Sequence, residues 1–183
     1  MRIKSKYYKE KHCNFKKHPL YCRYREQNGS KVEQNGVEVS ALIGKYPAKL
    51  DEKNRLFVPA KLRAELGDDF YVTLGVNCGH SCLTVYTAED WQKLSENYNN
   101  LPISQRSAAT SLIFMNATQC NPDKQFRFTL TQFLLKFAKI DRDVMIVGRA
   151  GQAEIWDAEE FKRFEEENLT PEKLLASLEA IGL

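Results

Sequence analysis

Leu50 to Leu66 reads LDEKNRLFVPAKLRAEL, and this stretch decides the fold because it compresses a turn, a strand and a helix into one run. The charged segment Asp51 to Asn54 forms the turn, and Leu56 to Val58 is a short apolar strand. Pro59 stands at the first helical position, where its missing N–H costs nothing. The helix Ala60 to Leu66 then stops at Gly67, a common C-terminal signal. Beyond it, Phe70 to Leu74 and Leu83 to Tyr86 read as a hairpin joined by the turn-prone NCGHSC segment. Thr87-Ala88-Glu89-Asp90 opens an acidic helix start.

The unit returns. Pro122 to Ala138, PDKQFRFTLTQFLLKFA, repeats it with Asp123 and Arg127 standing 72 positions after Asp51 and Arg55. Val58 answers Leu130 and Leu62 answers Leu134 at the same offset. Further on the phase drifts, yet Val72-Thr73-Leu74-Gly75 still pairs with Met145-Ile146-Val147-Gly148, and Val85 to Trp91 with Ile155 to Phe161. One supersecondary unit is therefore used twice. A unit with about three short strands cannot bury a hairpin's two faces alone, so the two copies are expected to pack about a pseudo-twofold axis.

These residues carry a resemblance. Leu42-Ile43-Gly44-Lys45-Tyr46 through Asp51-Glu52-Lys53-Asn54-Arg55-Leu56-Phe57-Val58-Pro59-Ala60 resembles the opening of the MraZ family of bacterial transcription regulators, built from two AbrB-type swapped-hairpin repeats. Ala117 to Cys120, Asp123 to Arg127 and Glu154-Ile155-Trp156 are similar to the family's second repeat, so the likeness runs from about Leu42 to Leu169. It implies an α+β fold of tandem swapped-hairpin AbrB-like β-barrel repeats with peripheral helices. It also implies binding of double-stranded DNA by a ring of identical subunits, at tandem repeats in the promoter of the division and cell-wall gene cluster. Two departures matter. The family's turn has Gly before the Arg; Asn54 tolerates positive φ there, but Phe126 does not, so the second turn is expected to lose that geometry and to cost affinity. Thr131 replaces the proline that Pro59 supplies, which leaves the second short helix without the same start.

Charge is distributed in three blocks. Residues 1–41 form a basic extension, with ten bases against four acids in the first forty, and Tyr7, Tyr8, Phe15, Tyr21 and Tyr24 interleave in no register. A disordered basic tail, an auxiliary nucleic-acid arm and an upstream mis-assigned start compete for it; the last would need Val37, Val39 or Leu42 at an alternative initiator codon. It lacks the apolar stretch of a secretory signal. The repeats are near neutral, with 14 bases against 13 acids from Ala41 to Asp157. The DNA-facing reading therefore rests on local distribution: Lys49, Asp51, Lys53 and Arg55 at the first turn, with Lys61 and Arg63 on the next helix, and Asp123, Lys124 and Arg127 at the second. Each Asp is expected to cap its turn and aim the arginine outward. The tail beyond Asp157 is acidic, seven acids against three bases, and Leu174, Leu175, Leu178 and Ile181 stripe a helix capped by Thr170-Pro171, to pack on a neighbouring subunit or on its own chain.

The repeats are expected at 42–91 and 117–161, a helical linker at 92–116 and an acidic helical tail at 162–183. Within the linker region Trp91, Leu94 and Tyr98 read as a buried helix stripe, and Ser104 to Met115 as a helix. Five cysteines, an odd number without a secretory signal, read as reduced thiols in a cytoplasm, and DNA binding would place the protein at the nucleoid. His80 between Cys78 and Cys82, and His12, Cys13, His18 and Cys22 near the start, lack the paired spacing of a zinc site, so no metal and no cofactor is expected. No nucleophile with its base, Gly-rich phosphate loop or patterned carboxylate pair appears, so the chain is not expected to be an enzyme or to take a small-molecule substrate; Cys82 beside His80 lacks an orienting third group. No apolar run has membrane-spanning length. The alternative from another class is a structural or partner-binding oligomer without DNA binding, motivated by Phe126, the near-neutral repeats and the acidic tail.

Overall fold

Two halves of the same element order make up the computed structural model, which describes residues 42–182. The first runs β1 (Ile43–Lys49), β2 (Arg55–Phe57), α1 (Ala60–Leu66), β3 (Phe70–Asn77), β4 (His80–Thr87) and α2 (Ala88–Asn99). Helix α3 (Ile103–Leu112) and a 3-10 turn (Phe114–Asn116) lead to the second: β5 (Thr118–Cys120), β6 (Arg127–Thr129), α4 (Gln132–Phe137), β7 (Asp143–Arg149), β8 (Ala153–Asp157) and α5 (Ala158–Asn168). Helix α6 (Pro171–Ala180) follows. The basic extension, with its histidines and two of the cysteines, lies outside the described residues.

The result is an α+β protein with antiparallel pairing throughout. Six strands form one sheet in the order β1-β7-β8-β4-β3-β5, and β2 pairs with β6 in a separate ribbon. The six-strand order reads the same backwards once each strand is exchanged for its counterpart in the other half. The ribbon obeys the same symmetry, because Leu56 pairs Phe128 while Arg55 pairs Thr129 and Phe57 pairs Arg127. Four of these ladders, β1 with β7, β4 with β8, β3 with β5 and β2 with β6, join strands of different halves. The six-stranded ladder leaves β1 and β5 as its two ends and does not close into the expected barrel.

Period-2 burial explains why so short a ribbon holds. Leu56 and Phe128 point inward and are buried, and Phe128 meets Phe70 edge-on at 4.9 Å, within a core that includes Leu62, Val72, Leu83 and Leu134. Both hairpins turn in two residues at positive φ, Cys78-Gly79 and Ala150-Gly151, the backbone twist that matches flanking strands. The first hairpin is therefore tighter than its NCGHSC segment indicates, with pairing carried out to Asn77 and His80.

The short helices differ from their sequence reading. Pro59 is the residue before α1 rather than its first, and it caps nothing. Thr131, the apparent weakness of the second copy, accepts the Leu134 N–H at 3.3 Å and caps α4. A hydroxyl satisfies a terminal donor that proline leaves open. The stripe on α2 is half-buried rather than core: Trp91 stacks on Tyr71 at 4.7 Å and meets Phe114 at 5.3 Å, but no α2 residue is fully buried. On α6, Leu174, Leu175 and Ile181 stand exposed, so this stripe is not covered by the described residues of its own chain.

The glycines that recur between the halves mark close approaches. A Cβ on Gly148 would stand 2.4 Å from the Leu42 carbonyl carbon and 2.5 Å from the Ile43 nitrogen; on Gly75 it would stand 2.4 Å from Thr84 Oγ1. Gly148→Ala therefore forces β1 away from β7 and is expected to cost about 1–3 kcal/mol. Chemical unfolding checks it, with Gly151→Ala, whose Cβ meets nothing but whose φ is 110°, as a strain-only comparison.

Candidate nucleic-acid interface

Each Asp-x-x-x-Arg segment folds into the same closed turn. Asp51 N–H donates to the Arg55 carbonyl at 3.0 Å and Asn54 N–H to the Asp51 carbonyl at 3.0 Å; the second turn repeats both bonds, from Asp123 to Arg127 at 2.8 Å and from Phe126 to Asp123 at 2.7 Å. One carboxylate oxygen of Asp51 accepts the Lys53 and Arg55 N–H groups, both at 2.9 Å, and Asp123 accepts those of Gln125 and Arg127 at 2.8 and 3.0 Å. The other oxygen takes the guanidinium: Arg55 Nε at 2.6 Å and Arg127 Nε at 3.0 Å, with Nη2 at 2.6 and 2.8 Å. The aspartate thus closes the turn and orients the arginine, as the four-residue spacing anticipates.

Electrostatics follow from those bonds. Hydrogen bonds from the Arg127 side chain, and then from its backbone, hold the Asp123 carboxyl down at about 2, and the Arg55 backbone N–H leads the lowering at Asp51. Both turns are therefore ion-paired at neutral pH. Each arginine has five N–H donors, and two go to its aspartate, which leaves a fork of donors directed away from the turn.

Antiparallel pairing then places the two turns on one surface. With Leu56 and Phe128 inward, Arg55, Phe57, Arg127 and Thr129 all project from the outer face of the ribbon. Arg55 and Arg127 are diagonal neighbours across the two strands, because Arg55 pairs Thr129 and Phe57 pairs Arg127. The turn tips lie at opposite ends: the Asn54 carbonyl accepts from Leu130 and the Phe126 carbonyl from Val58, so four residues separate them, roughly 13 Å of strand.

Phe126 does not break the second turn. It takes φ 58°, against 57° for Asn54, and makes the same backbone bonds. Left-handed backbone costs a bulky residue on the order of 1 kcal/mol. Four turn hydrogen bonds and the Arg63 guanidinium 3.9 Å from the Phe126 ring centroid outweigh that cost. The expectation of a distorted turn is accordingly corrected.

The remaining residues fall around this face. Lys53 and Lys124 are exposed near the turn tips. Lys49 sits apart, bridged to Asp143 at 2.9 Å at the end of the β1–β7 ladder. Arg63 was marked by sequence only as a nearby base; that it reaches the second turn depends on the ribbon, which brings Phe126 against Val58. Without Lys49, residues 50–66 and 122–129 together carry six bases against four acids, so this surface is positive although the repeats are nearly neutral.

Two of the described thiols, Cys82 and Cys120, are buried, unlike reactive ones. Burial pushes the Cys82 thiol up, and pushes Cys120 to about 12. His80 faces Glu160 Oε1 at 2.8 Å and Glu167 Oε2 at 3.1 Å rather than a cysteine. Among the described residues no group of three or more His, Cys, Asp or Glu is arranged to hold a metal ion. None of the described helices is long and apolar enough to cross a membrane.

The fold and this face define a class: an α+β protein of two interleaved repeats, each presenting an Asp-capped arginine turn. The family model described as "MraZ protein, putative antitoxin-like" matches residues 41–112 and again 113–175, and the chain belongs to the MraZ family. It is 33% identical over 143 residues to a transcriptional regulator MraZ of Clostridium tetani, covering 77% of this chain and 99% of that protein. Proteins of the same name from Halothermothrix orenii and Caldicellulosiruptor saccharolyticus are 33% and 34% identical, covering 77% and 78% of this chain and 99% of each relative. These are names of regulators and not of enzymes, in agreement with the expectation that the chain is not an enzyme.

Proposed function

We propose that the chain is a sequence-specific DNA-binding transcription regulator, and that its contact surface is the outer face of the β2–β6 ribbon with the two turns. The observation that carries this reading is the placement of Arg55 and Arg127, each aimed by its own aspartate, on one exposed positive face. Arg55, Lys53, Arg127 and Lys124 supply phosphate or guanine-edge contacts, Asp51 and Asp123 position them, and Lys49 contributes from the margin. The relatives' name supports regulation of transcription.

Several further features belong to the same reading. Pairing between strands of different halves supports the swapped-hairpin description, with repeats at 42–91 and 117–161, the linker at 92–116 and the tail at 162–183. A ring of identical subunits acts at tandem repeats in the promoter of the division and cell-wall gene cluster, in the cytoplasm at the nucleoid. One face with a few bases binds a single DNA segment weakly, and several fixed in one assembly gain about 100- to 10,000-fold in avidity. The exposed stripe of α6 is available to join subunits.

A gel-shift titration on the duplex upstream of the chain's own operon, with light scattering beside it, tests both parts. A retarded complex and a mass well above a dimer are expected. No shift at low salt would leave the partner-binding oligomer as the reading, and a monomer at all concentrations would remove the ring.

A further inference from the structure

Arg63 belongs to the first repeat's helix α1 and yet completes the second repeat's turn. Its guanidinium lies 4.7 Å from the Phe57 ring centroid and 3.9 Å from that of Phe126, and its Nε donates to the Val58 carbonyl at 3.0 Å. Val58 returns its own N–H to the Phe126 carbonyl at 2.8 Å. The position related to Arg63 by the 72-residue offset is Leu135, which with Asn54, Phe133 and Ile140 lines a cavity of about 460 Å³ beside the first turn. The two turns share a backbone but not a surface: one is flanked by a cation held between rings, the other by a hollow whose rim carries Lys136 and Asp141, with no ring among the described residues against the cation.

The charge at these sites differs as well. Arg55 and Arg127 are each paired with a carboxylate, whereas Arg63 is held by a carbonyl and two aromatic faces, and no ion pair involves it among the described residues. Aromatic faces orient a guanidinium without cancelling its charge. Its Nε is committed, so its terminal nitrogens carry the donors left for a ligand. Phe57, which flanks it, lies opposite Arg127 on the ribbon's outer face.

Resting on the DNA-binding reading above, we propose that Arg63 is a phosphate-binding residue of the second turn, positioned by Phe57 and Phe126. The contact surface is then asymmetric in how its flanking cations are held: the second turn draws a fixed, uncancelled charge from the first repeat, while Lys136 beside the first turn has no ring stacked on it among the described residues. Phe126 is the residue that holds this cation in place.

The test is a binding titration at several salt concentrations on the same operator-region duplex, using the full chain with Arg55→Ala, Arg63→Gln, Arg63→Lys and Phe126→Asn, each checked by sizing and thermal unfolding. Arg63→Gln is expected to weaken binding roughly tenfold at 0.1 M salt and to flatten the log–log salt slope by about 0.9. Arg63→Lys keeps the charge but neither the flat stack nor the bond to Val58, so it recovers only part of the loss. Phe126→Asn removes no charge and keeps a turn that tolerates positive φ, and it is expected to weaken binding too. If Arg63→Gln does not fold, Phe126→Asn decides: wild-type affinity in it overturns the positioning. Full rescue by lysine overturns it equally. Loss of binding in Arg55→Ala with affinity and slope unchanged in Arg63→Gln overturns this inference alone, and no binding by the wild type overturns it together with the DNA reading.

Discussion

Arg55→Ala is expected to leave the fold intact and to lower DNA affinity more than tenfold, with the salt slope flattened by about 0.9 for each lost phosphate contact. The fold survives because the side chain is partly exposed and its ion pair with Asp51 is a solvent-screened surface interaction that contributes little to stability. Asp51 still accepts two backbone N–H groups, so the turn keeps its shape. Affinity falls much further. The variant removes the aimed donors and also leaves the Asp51 carboxylate uncompensated on a surface that must approach phosphate, and in an assembly the loss recurs in each subunit that touches DNA. Arg127→Ala should match it rather than show the milder effect that a distorted second turn would give, because Phe126 preserves that turn. Titrations at several salt concentrations, with a sizing run, decide the matter. Unchanged affinity and slope in Arg55→Ala, with assembly intact, would move the DNA-facing surface elsewhere, most plainly to the basic extension.

Trp156→Ala is expected to give the largest loss of stability, about 3–5 kcal/mol. Trp156 is fully buried, meets Phe161 at 5.6 Å and Phe164 at 5.0 Å, and packs with Cys82 of the first repeat in a cluster apart from the main core. Its indole N–H donates to Glu154 Oε2 at 3.0 Å, and Asn77 Nδ2 and Arg149 also bind that carboxylate. Truncation therefore opens a cavity between repeats and takes a donor from a buried acid at once. Against a total of about 5–15 kcal/mol, that is a large share. Trp156→Phe separates the two effects, since it retains most of the packing and loses only the N–H, for about 1–3 kcal/mol. Urea unfolding of both variants checks this; a loss under 1 kcal/mol in Trp156→Ala would show the cluster to be peripheral.

Phe126 shows where single-residue reasoning reaches its limit. Its intrinsic preference against positive φ is real, but it amounts to about 1 kcal/mol, and it is outweighed by the hydrogen bonds of its own turn together with contacts from residues 58 and 63 in the other repeat. Thr131 teaches the same point locally, since a lost proline became a gained cap. The half-buried Trp91 stripe errs the other way: its period was legible, but how much of it is covered depends on Tyr71, Tyr86 and Phe114 from other elements.

The sequence by itself determined the repeat, the turn chemistry and the α+β class. These are set by spacing and by interactions within a few residues: the Asp-to-Arg closure over four positions, the alternation of Leu56 and Phe128 with exposed neighbours, and the Thr87 and Thr170 caps. Only the tertiary structure decided which strands pair across the halves, that the ribbon brings Arg55 and Arg127 to one face, and that Arg63 lies between Phe57 and Phe126. The reason is physical. A buried strand face records in its residues that it must be covered, whereas the identity of the covering strand is fixed by the summed packing of both repeats, which no local spacing encodes.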